Sequence, residues 1–139
     1  YQKMCTPTYP VQGACPSGWH LPTKAEYDTL FAAIGGSETA GEKLKSTSGW
    51  SEGGNGTDDY SFSASPAGYR FINGIYPIYS EIGYLGVLWT STEAESDEWC
   101  DETCRRVVAC NVSLTSLNDD SFVGNVGKDD AYPVRCVKN

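Results

Sequence analysis

The chain has 139 residues, enough for one domain with a real core and too few for two ordinary ones, which excludes a two-domain cofactor enzyme. Apolar residues make up 40% and charged residues 20%, a balance that argues against disorder, and no apolar run approaches the roughly 20 residues of a membrane-spanning helix. Eighteen acidic side chains against 10 basic ones leave a net charge of -8 at pH 7, so nucleic acid and anionic membranes are poor partners and cations or neutral ligands better ones.

Fifteen glycines, 12% aromatics and a single Met favour loops and strands over helices. The six cysteines, at positions 5, 15, 100, 104, 110 and 136, are even in number and lie towards the two ends of the chain. In a small domain that pattern reads as up to three disulfides and an exported, oxidising location. No apolar signal segment is visible, so an export signal is expected to have been removed or to lie outside these residues.

In chain order, residues 1–14 are polar and turn-rich, with Pro7 and Pro10, and read as an N-terminal arm with at most an edge strand. Trp19 to Leu21 form a short strand ended by Pro22. Thr23 and Glu26 have the spacing of a capping box, in which each side chain satisfies a backbone N–H at the helix start. Tyr27, Leu30, Phe31 and Ile34 then recur at helical spacing, and Gly35-Gly36 stops the helix. A weaker helix is expected over Glu38 to Leu44, with Ser37 as its cap.

The segment from Ser46 to Gly68, rich in Ser, Gly, Asn and Asp, reads as a long structured loop, a feature usually functional or pinned by contacts. Ser65 to Phe71 reads as the beginning of a strand, which Ile75 to Tyr79 either continues or pairs with across Asn73-Gly74, a hairpin signal. Leu85 to Ser91, Val107 to Leu114 and Tyr132 to Val137 are three further strand candidates.

Several motifs in this order resemble the Fibrobacter succinogenes major paralogous domain: Cys15 to Thr23, Leu44 to Trp50, Asn55 to Ala64, Pro66 to Arg70, Leu88 to Glu93 and Val134 to Val137. More distantly, the Gly18-Trp19-His20-Leu21-Pro22-Thr23 start and the Val134-Arg135-Cys136-Val137 end look like the C-type-lectin-like and formylglycine-generating-enzyme superfold. The resemblance implies an exported bacterial domain, secreted or on the cell surface, and no established reaction. In a lectin-like fold the two ends meet, which implies a Cys15 to Cys136 disulfide. Cys5, Cys100, Cys104 and Cys110 leave three pairings open; Cys100 with Cys104 and Cys5 with Cys110 is the favoured one. The segment around Trp99, Cys100 and Cys104 departs from the family as an insertion.

Zinc on Cys100, Cys104 and Cys110 is the sharper alternative, but it lacks a nearby fourth ligand. An oxidase would need a reactive thiol pair, which fold resemblance does not supply. His20 is the only histidine, and its place in the strand motif reads as structural rather than as a general base. Asn55, Asp58 and Asp59, in a Gly-rich loop, supply the oxygen density of a possible structural calcium site.

Aromatic side chains are the best remaining ligand signal, because sugar rings stack their C–H faces on Trp and Tyr while acidic and amide groups take the hydroxyls. Trp19 and Trp89 read as core and Trp50 as packed under the long loop. Trp99, Tyr76, Tyr79, Tyr84, Tyr132, Asp119 and Asp120 are the candidate ligand-binding residues. The expectation is therefore one domain over residues 1–139, with an arm (1–14) and a core (15–139). Its fold is α+β and C-type-lectin-like, with one or two helices on a small, mainly antiparallel sheet. It is non-catalytic and binds polysaccharide; the alternative is a scaffold for a cell-surface protein partner.

Overall fold

In the computed structural model, which describes residues 11–73, 75–94 and 108–139, Thr23 caps helix α1 (Lys24–Ala33). Its hydroxyl accepts from the Glu26 N–H, and the Glu26 carboxylate accepts from the Thr23 N–H at 2.8 Å, completing the capping box. Tyr27, Phe31 and Ile34 are buried on the inner face, with Leu30 packed beside them. Helix α2 (Ser37–Leu44) follows almost at once. Gly36, at φ 102°, is its N-cap, so Ser37 is the first helical residue and not the expected cap. Only glycine enters that backbone region without strain, which lets the chain reverse between the helices.

Seven strands form three small antiparallel sheets among the described residues, where a single sheet is expected from the sequence. Strand β1 (Trp19–His20) pairs with β7 (Val137–Lys138); β2 (Tyr69–Asn73) pairs with β3 (Tyr76–Ser80); and β4 (Leu85–Ala94), β5 (Val108–Thr115) and β6 (Ser121–Gly127) form the third. Isolated bridges, Gly68 to Gly86 and Arg70 to Ala131, help to join the hairpin β2–β3 to the rest. The strand expected over Tyr132 to Val137 shrinks to Val137–Lys138. Pro133 lacks an N–H for a ladder, and its carbonyl instead accepts from the Trp89 N–H at 3.1 Å.

The three-stranded sheet has two different faces, because alternate residues along a strand point opposite ways. Leu88, Val112, Leu114 and Val123 lie on the helix side and join Tyr27, Phe31, Ile34, Ala40 and Leu44 in the core. Val87, Asn111, Ser113 and Phe122 alternate with them on the other side.

The chain ends near residues 15 and 136 are clasped by a disulfide between Cys15 and Cys136, with Cα atoms 5.8 Å apart. Cys110 is also disulfide-bonded, while Cys5, Cys100 and Cys104 lie outside the described residues, as does Trp99. Trp19 is 39% exposed, correcting its assignment to the core, because a two-residue strand covers only one of its faces. No helix of the described residues is long and apolar enough to cross a membrane.

The loop from Ser46 to Gly68 is pinned throughout. Trp50 is buried, and its indole N–H lies 3.1 Å from the Ala64 carbonyl oxygen and 3.2 Å from the Ser46 hydroxyl. Lys45, at the loop's entrance, is 1% exposed. Its ammonium donates to the carbonyls of Thr115 (3.1 Å) and Asn118 (2.8 Å) and lies 5.6 Å from the Trp50 ring centre. One buried cation thereby joins helix α2, the loop and the β5–β6 turn.

Candidate binding site

On the outer side of the three-stranded sheet, a cleft of about 300 Å³ opens between the sheet and the aromatic side chains of Tyr69 and Tyr132. These two rings stack at 5.6 Å, and Trp89 meets Tyr132 edge-on at 5.0 Å. The Tyr132 hydroxyl bonds Asp130 at 3.2 Å, fixing the ring from its polar end. Val87, Phe122 and Val126 add apolar lining.

The cleft lining also includes a buried polar pair. Asn111 and Ser113 are 3% and 4% exposed, and the Asn111 amide donates to the Ser113 hydroxyl at 2.8 Å. The Asn111 carbonyl oxygen has no hydrogen-bond partner among the described residues. A buried acceptor left unpaired costs about 1 to 3 kcal/mol, a cost that a hydroxyl-bearing ligand would remove. Gly124, opposite Asn111 on β6, keeps the space in front of that oxygen clear: a Cβ there would sit 3.0 Å from Asn111 Oδ1.

From the cleft an apolar surface continues along the β2–β3 hairpin. Directly opposed residues share a face, so Tyr69, Phe71, Ile78 and Tyr76 lie on one side of the ribbon. Tyr69 and Phe71 pack at 5.7 Å. Tyr76 is 71% exposed at the outer end of this row, and Ile78 is exposed between. Tyr79, opposite Arg70, alternates to the reverse face and is equally open to solvent.

Tyr132 and Tyr76 are thus the expected ligand-binding residues that the fold aligns, one in the cleft and one along its extension. Tyr84 is exposed in the turn before β4 and does not line the cleft. Asp119 and Asp120 lie at the β5–β6 turn against α2, where the Asp119 carbonyl accepts from the Glu42 N–H at 3.2 Å and the carboxylate lies 3.6 Å from the Lys45 ammonium. Tyr69, Asn111, Ser113, Phe122 and Gly124 belong to the site without having been expected there.

The residues considered for calcium are engaged within their own loop. The Asn55 side-chain oxygen accepts from the Trp50 N–H at 3.0 Å. The Asp58 carboxylate takes the Ser63 hydroxyl (2.5 Å) and N–H (2.6 Å), bonds that hold its pKa below the usual carboxylate value. Asp59 is exposed. Among the described residues no group of three or more His, Cys, Asp or Glu side chains could hold a metal ion.

His20 is a structural group. Its Nε2 lies 2.7 Å from Glu26 Oε1 and its Nδ1 2.7 Å from Asn139 Oδ1, so β1, α1 and the residue after β7 meet at one ring. With an acceptor at each nitrogen the imidazolium is favoured: the Glu26 bond, then the Asn139 bond, raise the His20 pKa against a smaller effect of burial. For Glu26, burial pulls upward, but the hydrogen bonds from the Thr23 backbone, His20 and the Thr23 hydroxyl together leave its pKa lowered.

Compared with known proteins, the chain matches the family model described as Fibrobacter succinogenes major domain over residues 6–138. No curated protein and no solved structure matches it.

Proposed function

Because the chain belongs to the Fibrobacter succinogenes major domain family, we propose that it is a non-catalytic binding module of an exported bacterial protein and that its ligand is a plant or microbial polysaccharide. The observation that carries this reading is the pairing, in one cleft, of aromatic walls (Tyr69, Tyr132) with a buried carbonyl lacking a donor (Asn111). A sugar ring presents both complements, a C–H face to stack and hydroxyls to donate. A cleft of about 300 Å³ falls at the lower end of the usual range for ligand sites, the scale of a single sugar residue. The exposed row of Ile78 and Tyr76 would then carry the following residues of an extended chain.

Export is supported by the bonded state of Cys15, Cys136 and Cys110, since disulfides persist in oxidising compartments. The C-type-lectin-like fold is supported by the pairing of a strand near residue 20 with one near residue 137, beside a helix that starts directly after the first.

Affinity electrophoresis against a panel of soluble plant and microbial glycans tests the function. We expect retardation on at least one glycan, weakened by Tyr76→Ala and by Tyr132→Ala; mobility unchanged on every glycan would sink the reading. A second reading, a docking surface for a cell-surface protein, is favoured by one specific observation: Ile75, next to Tyr76, and Ile82, two residues before Tyr84, are 87% and 63% exposed. An aliphatic side chain offers no aromatic face to a sugar ring, whereas exposed apolar patches mark protein interaction sites. Under that reading Ile75→Ser and Ile82→Ser abolish pull-down of the partner from the cell surface, and no glycan competes.

A further inference from the structure

A second groove, of about 370 Å³, runs beside α1 on the helix-covered side of the molecule, remote in lining from the aromatic cleft. Leu30, Phe62 and Val137 give it apolar walls. Two hydrogen-bond donors border it without partners. The Arg135 guanidinium lies 4.2 Å over the Phe62 ring, and among the described residues it makes no hydrogen bond and no ion pair. The Tyr27 side chain is 4% exposed, and its buried hydroxyl likewise has no partner among the described residues.

Neither nearby acid serves these donors: the carboxylate of Glu26, which lines the groove, is committed to His20 and to Thr23, and that of Asp58, which feels the Arg135 charge, is committed to Ser63. Neither carboxylate forms an ion pair with the guanidinium among the described residues, so its N–H edge is left for an anionic ligand. The Arg135 charge also acts on the Tyr27 phenol, which places both donors at the same groove. Stacking on Phe62 holds the guanidinium plane while leaving its edge N–H groups free, the arrangement arginine uses for planar anions. Two unpaired donors beside apolar walls call for a ligand with acceptor oxygens on an apolar body.

We propose that this groove binds a monocarboxylate carried on an apolar, ring-sized body, the carboxylate meeting Arg135 and the Tyr27 hydroxyl and the body lying against Leu30, Phe62 and Val137. The site is independent of the glycan cleft, so either assignment can fail alone. Burial keeps the Tyr27 phenol protonated well above its ordinary range, which makes it a donor at every working pH.

The test is a titration of the 15N-labelled chain, disulfides intact, with 3-phenylpropanoate, and in parallel with 3-phenylpropanol and with acetate. The expected result is saturable shifts at Leu30, Phe62 and Val137 with the phenylpropanoate, and binding at least about tenfold weaker for the alcohol and for acetate. Arg135→Gln and Tyr27→Phe should each weaken phenylpropanoate about tenfold or more, the loss of a hydrogen bond to a charged group. Tyr27→Phe carries a second readout. If its hydroxyl is unpaired in the free protein, the variant melts at the same or a higher temperature than the parent; a hydroxyl with a structural partner would lower it. Equal binding of the alcohol, absence of shifts at the groove, or a Tyr27→Phe variant that binds normally overturns the proposal. Should Arg135→Gln fail to fold, the ligand series and Tyr27→Phe still decide it.

Discussion

Replacing Lys45 with methionine keeps the volume of a side chain that is 1% exposed and removes only its ammonium. Two opposing effects follow. The variant no longer has to strip water from a cation, a cost of several kcal/mol in a buried site. Against that, the Thr115 and Asn118 carbonyls lose charge-assisted hydrogen bonds worth about 1.5 to 3 kcal/mol each and are left facing a thioether. The contact with the Trp50 ring adds a further ~1 kcal/mol to the loss. The Asp119 partner adds little, because that carboxylate is 66% exposed and screened by water. Since the acceptors are fixed backbone groups that cannot follow the missing donor, the second effect wins, and we expect Lys45→Met to lose about 2 to 4 kcal/mol. Urea unfolding followed by Trp fluorescence measures it: with m near 1 to 3 kcal/mol/M, the midpoint should fall by about 1 M or more at unchanged m. Asp119→Asn should lose under ~1 kcal/mol. A Lys45→Met variant within ~0.5 kcal/mol of the parent would show that desolvation cancels the hydrogen bonds and that Lys45 does not tie the β5–β6 turn to α2.

The His20 cluster gives the fold a pH dependence of known sign. The raised His20 pKa contributes stability that is complete below the ordinary 6.5 and is lost as pH rises through the folded value. The lowered Glu26 pKa contributes stability present above 4.5 and lost as pH falls through its folded value. Urea midpoints should therefore be highest between about pH 4.5 and 6.5 as far as this pair is concerned, and His20→Gln should remove the decline above that window; an unchanged alkaline limb in the variant would refute the assignment. The Cys15 to Cys136 bridge closes a separation of 121 residues, so Cys15→Ser with Cys136→Ser should lose about 5 kcal/mol on the loop-entropy relation. A loss below ~1 kcal/mol in non-reducing urea melts would contradict that.

Local chemistry made part of this molecule readable. The capping box and the stripe of Tyr27, Phe31 and Ile34 lie within twelve residues, and their partners are each other, so α1 follows directly from sequence. The hairpin and the strands β4 and β5 carry their own β-branched and aromatic pattern. Strand β6 was not anticipated, although Phe122, Val123 and Val126 after an Asn-Asp-Asp turn carry a strand signal. The rest depends on distant partners. In Asn111-Val112-Ser113-Leu114 the alternation assigns the polar residues to solvent, yet Tyr69, Trp89 and Tyr132, from elsewhere in the chain, gather over that face and bury both. Lys45 reads as a surface cation in sequence; its acceptors lie 70 and 73 residues away. Asp119 reads as a free ligand for the same reason, since the lysine that faces it is equally remote.

Under the proposed function a sugar occupies the cleft beneath Tyr132 and donates a hydroxyl to Asn111. Chemical-shift mapping with the best-retained oligosaccharide, run on the parent and on Gly124→Val, tests it most directly. The account predicts saturable shifts of the Asn111 side-chain amide and of the Gly124 and Tyr132 backbone amides in the parent. It predicts their loss in Gly124→Val, whose side chain fills the space before Asn111 Oδ1. Saturation by the glycan with those signals unmoved, or undiminished binding in Gly124→Val, would contradict it.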